Sequence, residues 1–152
     1  MLLTIHAATG AFIGQQINNP ILVFVLAFIS HFVLDMIPHG DHDWFQNYKD
    51  DQRKNLKRIT TIIVLDISTV VIIGGSLTLS GIFTPTRSMA IGVLGGALPD
   101  ILVGFHEITK THLKRFHRFH FLNHDLIKFV KPSFAQGFFF QLIILGILIF
   151  AL

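Results

Sequence analysis

The sequence PILVFVLAFISHFVLDMI, at positions 20–37, is apolar along almost its whole length and yet contains His31 and Asp35. A bilayer core about 30 Å thick needs roughly 20 apolar residues for each helix that crosses it. Four further stretches meet or nearly meet this requirement, at positions 2–17, 59–83, 88–105 and 133–152. Asn18-Asn19-Pro20 is a turn signal, so the first two segments predict a helical hairpin. We therefore expect an all-α, polytopic integral membrane protein with about five transmembrane helices.

The composition favours the same class of protein. Of the 152 residues, 51% are hydrophobic and 14% are charged, whereas about a quarter of the residues of a soluble domain are charged. A chain of this length is expected to form a single domain, here a membrane domain over 1–152. The absence of cysteine excludes disulfides, Cys-ligated zinc, iron–sulfur clusters and a cysteine nucleophile.

The basic residues predict the orientation of the chain. All but one of the 12 lysines and arginines lie in two segments, 49–58 and 110–131, and the exception is Arg87. With five spans both segments fall on the same side, which the positive-inside rule identifies as the cytoplasm. Because no basic residue precedes the first apolar segment, we expect no cleaved signal peptide. The sequence thus predicts a multi-pass protein of the inner (cytoplasmic) membrane with a cytoplasmic N-terminus.

The segment at about 108–131 is too polar to cross a bilayer. Its phenylalanines alternate with lysines, arginines and histidines, which is typical of a helix lying in the inner interface near anionic headgroups. Such interleaving also occurs in RNA-binding proteins, but beside several spans we expect membrane lipids as partners and no nucleic acid. Headgroup contact is the favoured interpretation of its histidines, with a second metal site or a lid as alternatives; they are His112, His117, His120 and His124.

Ionisable residues inside predicted spans are energetically costly and usually mark function. In the predicted topology, six such histidines and aspartates fall within or beside the inner half of the membrane. The spacing of four between His31 and Asp35 puts them on one helical face, where an imidazole and a carboxylate can chelate a cation. Ligands of these types without thiolate favour zinc, with manganese or iron as alternatives. The predicted metal ligands are His6, His31, Asp35, His39, Asp66 and Asp100.

The arrangement of these motifs resembles that of a known family. An early membrane-embedded His, then H-x-x-x-D-x-x-P-H-x-D, and a later small-residue span ending in L-P-D resemble bacterial membrane-bound metal-dependent hydrolases, which are grouped with zinc-dependent phospholipase C. The matching positions are His6, His31, Asp35, Pro38, His39, Asp41, Pro99 and Asp100. The family's Thr-His-Ser element is missing here, and His120 and His124 follow the pair His117-Arg118 instead. The resemblance implies bound metal and a hydrolytic activity.

We therefore predict a membrane-embedded hydrolase in which a divalent metal lowers the pKa of a water to about 7 and polarises a phosphoryl or acyl oxygen. Asp41 or Asp43 is the predicted general base, although both also fit a solvated loop. The depth of the site suggests a lipid phosphoester as substrate. Two alternatives stay open, a metal-ion or proton transporter that uses the same cluster and a non-catalytic membrane assembly protein. Whether the chain forms a homo-oligomer is also left open.

Overall fold

The computed structural model describes residues 1–40, 52–81, 83–124, 126–127 and 132–152. In these segments the chain is all-helical and has no strand, as predicted. The helices are α1 (Leu3–Gln16), α2 (Pro20–Asp35), α3 (Gln52–Leu79), α4 (Arg87–Thr109), α5 (Lys114–His124) and α6 (Phe134–Ala151).

Three of these helices are long and apolar enough to cross a membrane. They are the part of α3 from Thr60 to Leu79, α4 and α6. The first two helices have 14 and 16 residues, which is short of the roughly 20 that a full crossing needs. The predicted count of about five spans is therefore not confirmed, although the three apolar helices fit a membrane protein.

The outward faces of the long helices are apolar. Val71 of α3 is 66% exposed, and Phe139 and Phe150 of α6 are 66% and 95% exposed. Large exposed side chains of this kind are rare over a continuous surface of a soluble monomer. Lipid is the environment that suits these faces.

Helix α1 is the central helix, and it contacts α2, α3, α4 and α6. It runs antiparallel to α4 at very short range, since a Cβ at Gly10 would lie 2.0 Å from the carbonyl oxygen of Gly92. A Cβ at Gly14 would lie 2.4 Å from the carbonyl oxygen of Ser88. The small residues of α1 therefore allow close helix packing.

The turn between α1 and α2 also agrees with the sequence. The side chain of Asn19 accepts hydrogen bonds from the backbone N–H groups of Ile21 at 3.0 Å and Leu22 at 3.1 Å. Pro20 occupies the first turn of α2, where its missing N–H has no intrahelical partner to lose. The hairpin brings the start of α1 and the end of α2 to the same end of the molecule.

Asp66 of α3 has a structural partner. Its carboxylate accepts hydrogen bonds from the backbone N–H groups of Leu3 at 2.5 Å and Thr4 at 3.1 Å, and also from the Thr4 hydroxyl. These groups form the first turn of α1, where N–H groups lack intrahelical acceptors and the helix dipole favours negative charge. The structure therefore does not bring Asp66 into the cluster of predicted metal ligands, because its oxygens cap a neighbouring helix.

We expect Asp66→Asn to lower the free energy of unfolding by about 2 kcal/mol, because charge-assisted hydrogen bonds to a buried helix terminus are lost. The metal content of the protein should not change. Both can be measured on detergent-purified protein, by circular dichroism during denaturant titration and by elemental mass spectrometry. Unchanged stability would contradict the capping role, and loss of metal would return Asp66 to the set of ligands.

Candidate metal centre

Four potential ligand atoms from three helices converge at one end of the molecule. They are Nε2 of His31 and Oδ2 of Asp35 on α2, Oδ1 of Asp100 on α4, and Nε2 of His120 on α5. The two imidazole nitrogens are 3.0 Å apart, and the nitrogen-to-carboxylate distances among these four atoms run from 3.0 to 3.7 Å. Adjacent ligands of tetrahedral zinc lie about 3.3 Å apart, given bonds of about 2.0 Å. The four atoms therefore have the spacing of a zinc ligand set.

Two glycines of α4 allow the helices to meet at this point. A Cβ at Gly96 would lie 2.3 Å from the carbonyl oxygen of His6, and one at Gly95 would lie 2.8 Å from the carbonyl oxygen of Phe24. The backbones of α1 and α2 thus approach α4 one turn before Asp100. On α2, the spacing of four residues puts His31 and Asp35 on the face turned toward this junction.

A backbone hydrogen bond sets the tautomer of His31. Its Nδ1 lies 2.8 Å from the carbonyl oxygen of Gly96, and only an N–H at that position can bond to a carbonyl. The lone pair is then on Nε2, which accepts a hydrogen bond from Nε2 of His120 at 3.0 Å and would be available to a cation that displaces this proton. Metal-ligating histidines usually donate their second nitrogen in this way.

The carboxylate of Asp35 is the centre of the cluster. Its Oδ2 lies 3.0 Å from Nε2 of His31, 3.3 Å from Nε2 of His120 and 2.9 Å from Nε2 of His124. Even so, this buried oxygen makes no hydrogen bond of acceptable geometry. An oxygen that three imidazole nitrogens approach without such a bond has the arrangement of a ligand directed at a common ion, so the residues present fit a bound cation.

His6 lies directly behind this cluster and is fully buried. Its Nε2 is 3.1 Å from Oδ1 of Asp35, and its ring stacks on that of His31 with 3.8 Å between the centroids. The Met1 amino group lies 2.8 Å from the same carboxylate oxygen. His6 therefore contacts two of the potential ligands, Asp35 and His31. Its position suits a residue that orients these ligands and is less suited to a ligand itself.

A second ligand group shares Asp35 with the first. Potential ligand atoms of Asp35, His39 and His124 lie within 4.8 Å of one another. Nδ1 of His39 donates to the carbonyl oxygen of Ile37 at 2.6 Å, which leaves the lone pair on Nε2. A carboxylate common to two ligand groups is the arrangement of a two-metal centre.

The predicted ligands are therefore divided by the structure. Among them, His31, Asp35 and Asp100 come together, His39 joins through Asp35, His6 lies in contact and Asp66 lies elsewhere. Asp41 and Asp43, the predicted general bases, lie outside the described residues.

The sequence interpretation did not assign His120 and His124, two of the three histidines of α5, to the site. His120 is 3% exposed and lies inside the cluster, so the favoured interpretation of headgroup contact is wrong for this residue. Within the predicted segment at 108–131, the described helix α5 spans Lys114–His124 and packs on α2 and α4. We call it the lid helix, because its His120 and His124 contact Asp35 from one side of the cluster. Its Asn123 side chain donates to the carbonyl oxygen of Phe32 at 2.7 Å, which fixes α5 on α2. The signal was present in the i, i+3, i+7 spacing of His117, His120 and His124.

Protons compete with metal at His120. Burial lowers its pKa, but the nearby carboxylates of Asp100 and Asp35 outweigh this effect and raise the pKa to about 9. In the metal-free protein at neutral pH, His120 is therefore a cation between two carboxylates, and an incoming metal must displace its proton. We expect the apparent Kd for Zn²⁺ to fall about tenfold per pH unit between about pH 6.5 and 8. Competition with a chromophoric chelator measures this, and an affinity independent of pH would contradict it.

Comparison of the chain with protein-family models, with curated proteins and with solved structures finds no match. The resemblance to membrane-bound metal-dependent hydrolases is therefore an inference from short motifs. The case for a metal centre depends on the geometry of the described residues.

Proposed function

We propose that this protein is a membrane-embedded, metal-dependent hydrolase that acts on a lipid phosphoester at the cytoplasmic leaflet. The main support is the convergence of two imidazole nitrogens and two carboxylate oxygens, together with the hydrogen bond that directs Nε2 of His31 into the cluster. Zinc fits two histidines and two aspartates best, and manganese or iron are the alternatives.

A divalent ion held there would supply Lewis-acid chemistry, acidifying water and polarising a phosphoryl oxygen. The chain's own residues have separate tasks. His6 and the backbone of Gly96 hold Asp35 and His31 in position, since ligands need such support to keep their orientation. Asp41 is the proposed general base, because in the sequence it follows His39, a member of the second ligand group, by two residues. Asp43 is the second candidate.

The basic face of α5 supports a phosphate-bearing substrate. Lys114, Arg115 and Arg118 are exposed on the same helix that supplies His120 to the cluster. Positive side chains beside an inner leaflet attract anionic headgroups. A lipid that diffuses in the bilayer can therefore bring its phosphate to the site without leaving the membrane.

The same charges support the proposed orientation. Lys57, Lys110 and the basic residues of α5 belong to the end of the helices that holds the cluster, whereas Arg87 begins α4 at the opposite end. By the positive-inside rule, the cluster end is then cytoplasmic. We propose that α1 and α2 enter the membrane beside the three longer helices, which gives five membrane segments and a cytoplasmic N-terminus.

A transporter is less well supported, because the polar cluster does not continue through the molecule. In the opposite half, α1 and α4 are in backbone contact at Gly10 and Gly14. Among the described residues, Arg87 is the charged side chain at that end. A proton or ion path needs a chain of polar groups across the bilayer, and Zn²⁺ flux into liposomes would be the result that revives this function.

The test is hydrolysis of phospholipid in vesicles that contain the purified protein, loaded in turn with Zn²⁺, Mn²⁺ or Fe²⁺. Vesicles of phosphatidylglycerol and of phosphatidic acid cover a diester and a monoester, and the release of headgroup or phosphate is measured. We expect turnover that requires metal and is lost in His31→Ala. A metal-loaded protein that cleaves neither lipid nor a soluble phosphodiester would overturn the proposal.

A further inference from the structure

A third histidine cluster lies where α4 ends and the chain turns back into α5. His106 and Glu107 belong to the last turn of α4, and His117 belongs to the first turn of α5. The cluster shares no residue with the two ligand groups around Asp35. Nothing in the proposed function uses these three side chains.

The connection that brings them together is tight. Lys110 and Leu113 both have left-handed backbone conformations, with φ of 58° and 61°. Such a conformation costs about 1 kcal/mol or more for a residue with a side chain. Contacts between α4 and α5 must offset the free-energy cost of these two conformations. The side chains of His106, Glu107 and His117 lie where the two helices meet.

The potential ligand atoms of the cluster lie within 4.8 Å of one another. Nε2 of His117 is 2.7 Å from Oε1 of Glu107, and the rings of His106 and His117 have centroids 4.4 Å apart. His106 is buried, with 7% of its surface exposed, whereas the side chains of Glu107 and His117 are 16% and 25% exposed. The cluster therefore faces solvent on one side and protein on the other.

Two details indicate ligands of a common ion. Nδ1 of His106 donates to the backbone carbonyl of His112, which leaves the lone pair on Nε2. Nε2 of His117 is buried and makes no hydrogen bond of acceptable geometry, although a carboxylate oxygen of Glu107 is close. Nε2 of His117 and Oε1 of Glu107 are thus close to each other without forming a hydrogen bond, as two ligands of one cation are.

The ion pair between Glu107 and Lys110 does not occupy the same atoms. Lys110 Nζ contacts Oε2 of Glu107, whereas Oε1 faces His117. Lys110 is itself 58% exposed, and an exposed pair of this kind contributes little to stability. The carboxylate can therefore bind a cation through Oε1 and keep its contact with Lys110.

We propose that His106, Glu107 and His117 form a separate site for a divalent transition metal of the zinc class, completed by water from the exposed side. Two imidazoles and one carboxylate are a common protein ligand set for zinc. Because the ligands come from α4 and α5, the ion fixes the lid helix on α4. His120 lies one turn further along α5, so this site sets the position of a residue in the central cluster.

The experiment titrates Co²⁺ and Zn²⁺ into the detergent-purified full chain after removal of metal with a chelator. The number of ions bound is compared between wild type and the double variant His106→Ala, His117→Ala. His112→Ala is the matched control, since it removes an exposed histidine whose side chain is outside the cluster. We expect the double variant to lose one equivalent and its Co²⁺ absorption bands, and the control to lose neither.

Two more variants separate this site from the central cluster and from a folding defect. Asp35→Asn should keep the equivalent bound by His106, Glu107 and His117, so failure of the proposed hydrolase leaves this result intact. Glu107→Gln preserves the shape of the side chain and should weaken Zn²⁺ binding at this site on the order of tenfold or more. Equal stoichiometry in wild type and in the double variant overturns the proposal, as does an unchanged affinity in Glu107→Gln.

Discussion

Asp35→Asn is expected to abolish metal binding by the central cluster and with it the proposed hydrolase activity. The metal content should fall by the one or two equivalents that the two ligand groups sharing Asp35 are proposed to hold in the wild type. One equivalent should remain at His106, Glu107 and His117. Activity toward the proposed phospholipid substrate should fall by more than about 100-fold, because loss of an outer residue that supports a ligand already costs about 10- to 100-fold.

The physical reason is the number of groups that depend on this one carboxylate. Oδ2 lies within 3.3 Å of three imidazole nitrogens, and Oδ1 lies 3.1 Å from His6. An asparagine has the same shape but is neutral, and one of its two terminal atoms is a hydrogen-bond donor. The ion would lose an anionic ligand in a site of low dielectric, where charge compensation matters most.

Asp66→Asn is the matched control, since it removes a second buried carboxylate that contacts the same helix, α1, outside the cluster. Elemental mass spectrometry and headgroup release measure metal and activity, and circular dichroism checks that both variants keep their helices. Retention of metal and activity in a folded Asp35→Asn protein would rule out the central cluster as a metal centre. The cluster would then serve helix packing, and the metal and the activity would belong to residues outside it.

The sequence predicted part of the site because burial of ionisable groups is visible in a hydropathy pattern. His31, Asp35 and Asp100 stand in apolar stretches, and the topology put them at similar depth. Asp66 met the same criterion, but depth does not reveal that a carboxylate caps a neighbouring helix. Only the packing of α3 on the start of α1 shows this role.

For the histidines of α5 the error has the opposite direction, because the sequence left out residues that the structure brings into the cluster. A basic, aromatic helix with three histidines on one face looks the same whether that face meets lipid headgroups or closes over a site. Which of the two applies depends on the turn at Lys110 and Leu113, where both residues have left-handed backbone conformations. A sequence indicates such a conformation when the residue is glycine or asparagine, and lysine and leucine give no such indication. The count of about five spans is not confirmed for a related reason, since hydropathy does not tell whether a short apolar helix such as α1 is covered by its neighbours or by lipid.

The second large effect is expected at the contact between α1 and α4. Gly10→Ala would put a methyl group 2.0 Å from the carbonyl oxygen of Gly92, and Gly92→Ala would put one 1.9 Å from that of Gly10. Backbone atoms cannot rotate away as a flexible side chain can, so the two helices must separate. We expect either change to lower the free energy of unfolding by about 3 kcal/mol, at the upper end of overpacking effects. Denaturant titration in detergent, followed by circular dichroism, measures it.

Gly75→Ala is the control for this prediction, because a Cβ there would meet nothing within 4 Å. Alanine favours a helix over glycine by about 1 kcal/mol, so this variant should be as stable as the wild type or slightly more stable. A Gly10→Ala protein with wild-type stability would show that α1 and α4 are not in backbone contact. Since that contact also brings His6 and Gly96 together beside Asp100, the metal content of Gly10→Ala links the packing to the site. Destabilisation with partial loss of metal is the combined result that this helix pair predicts.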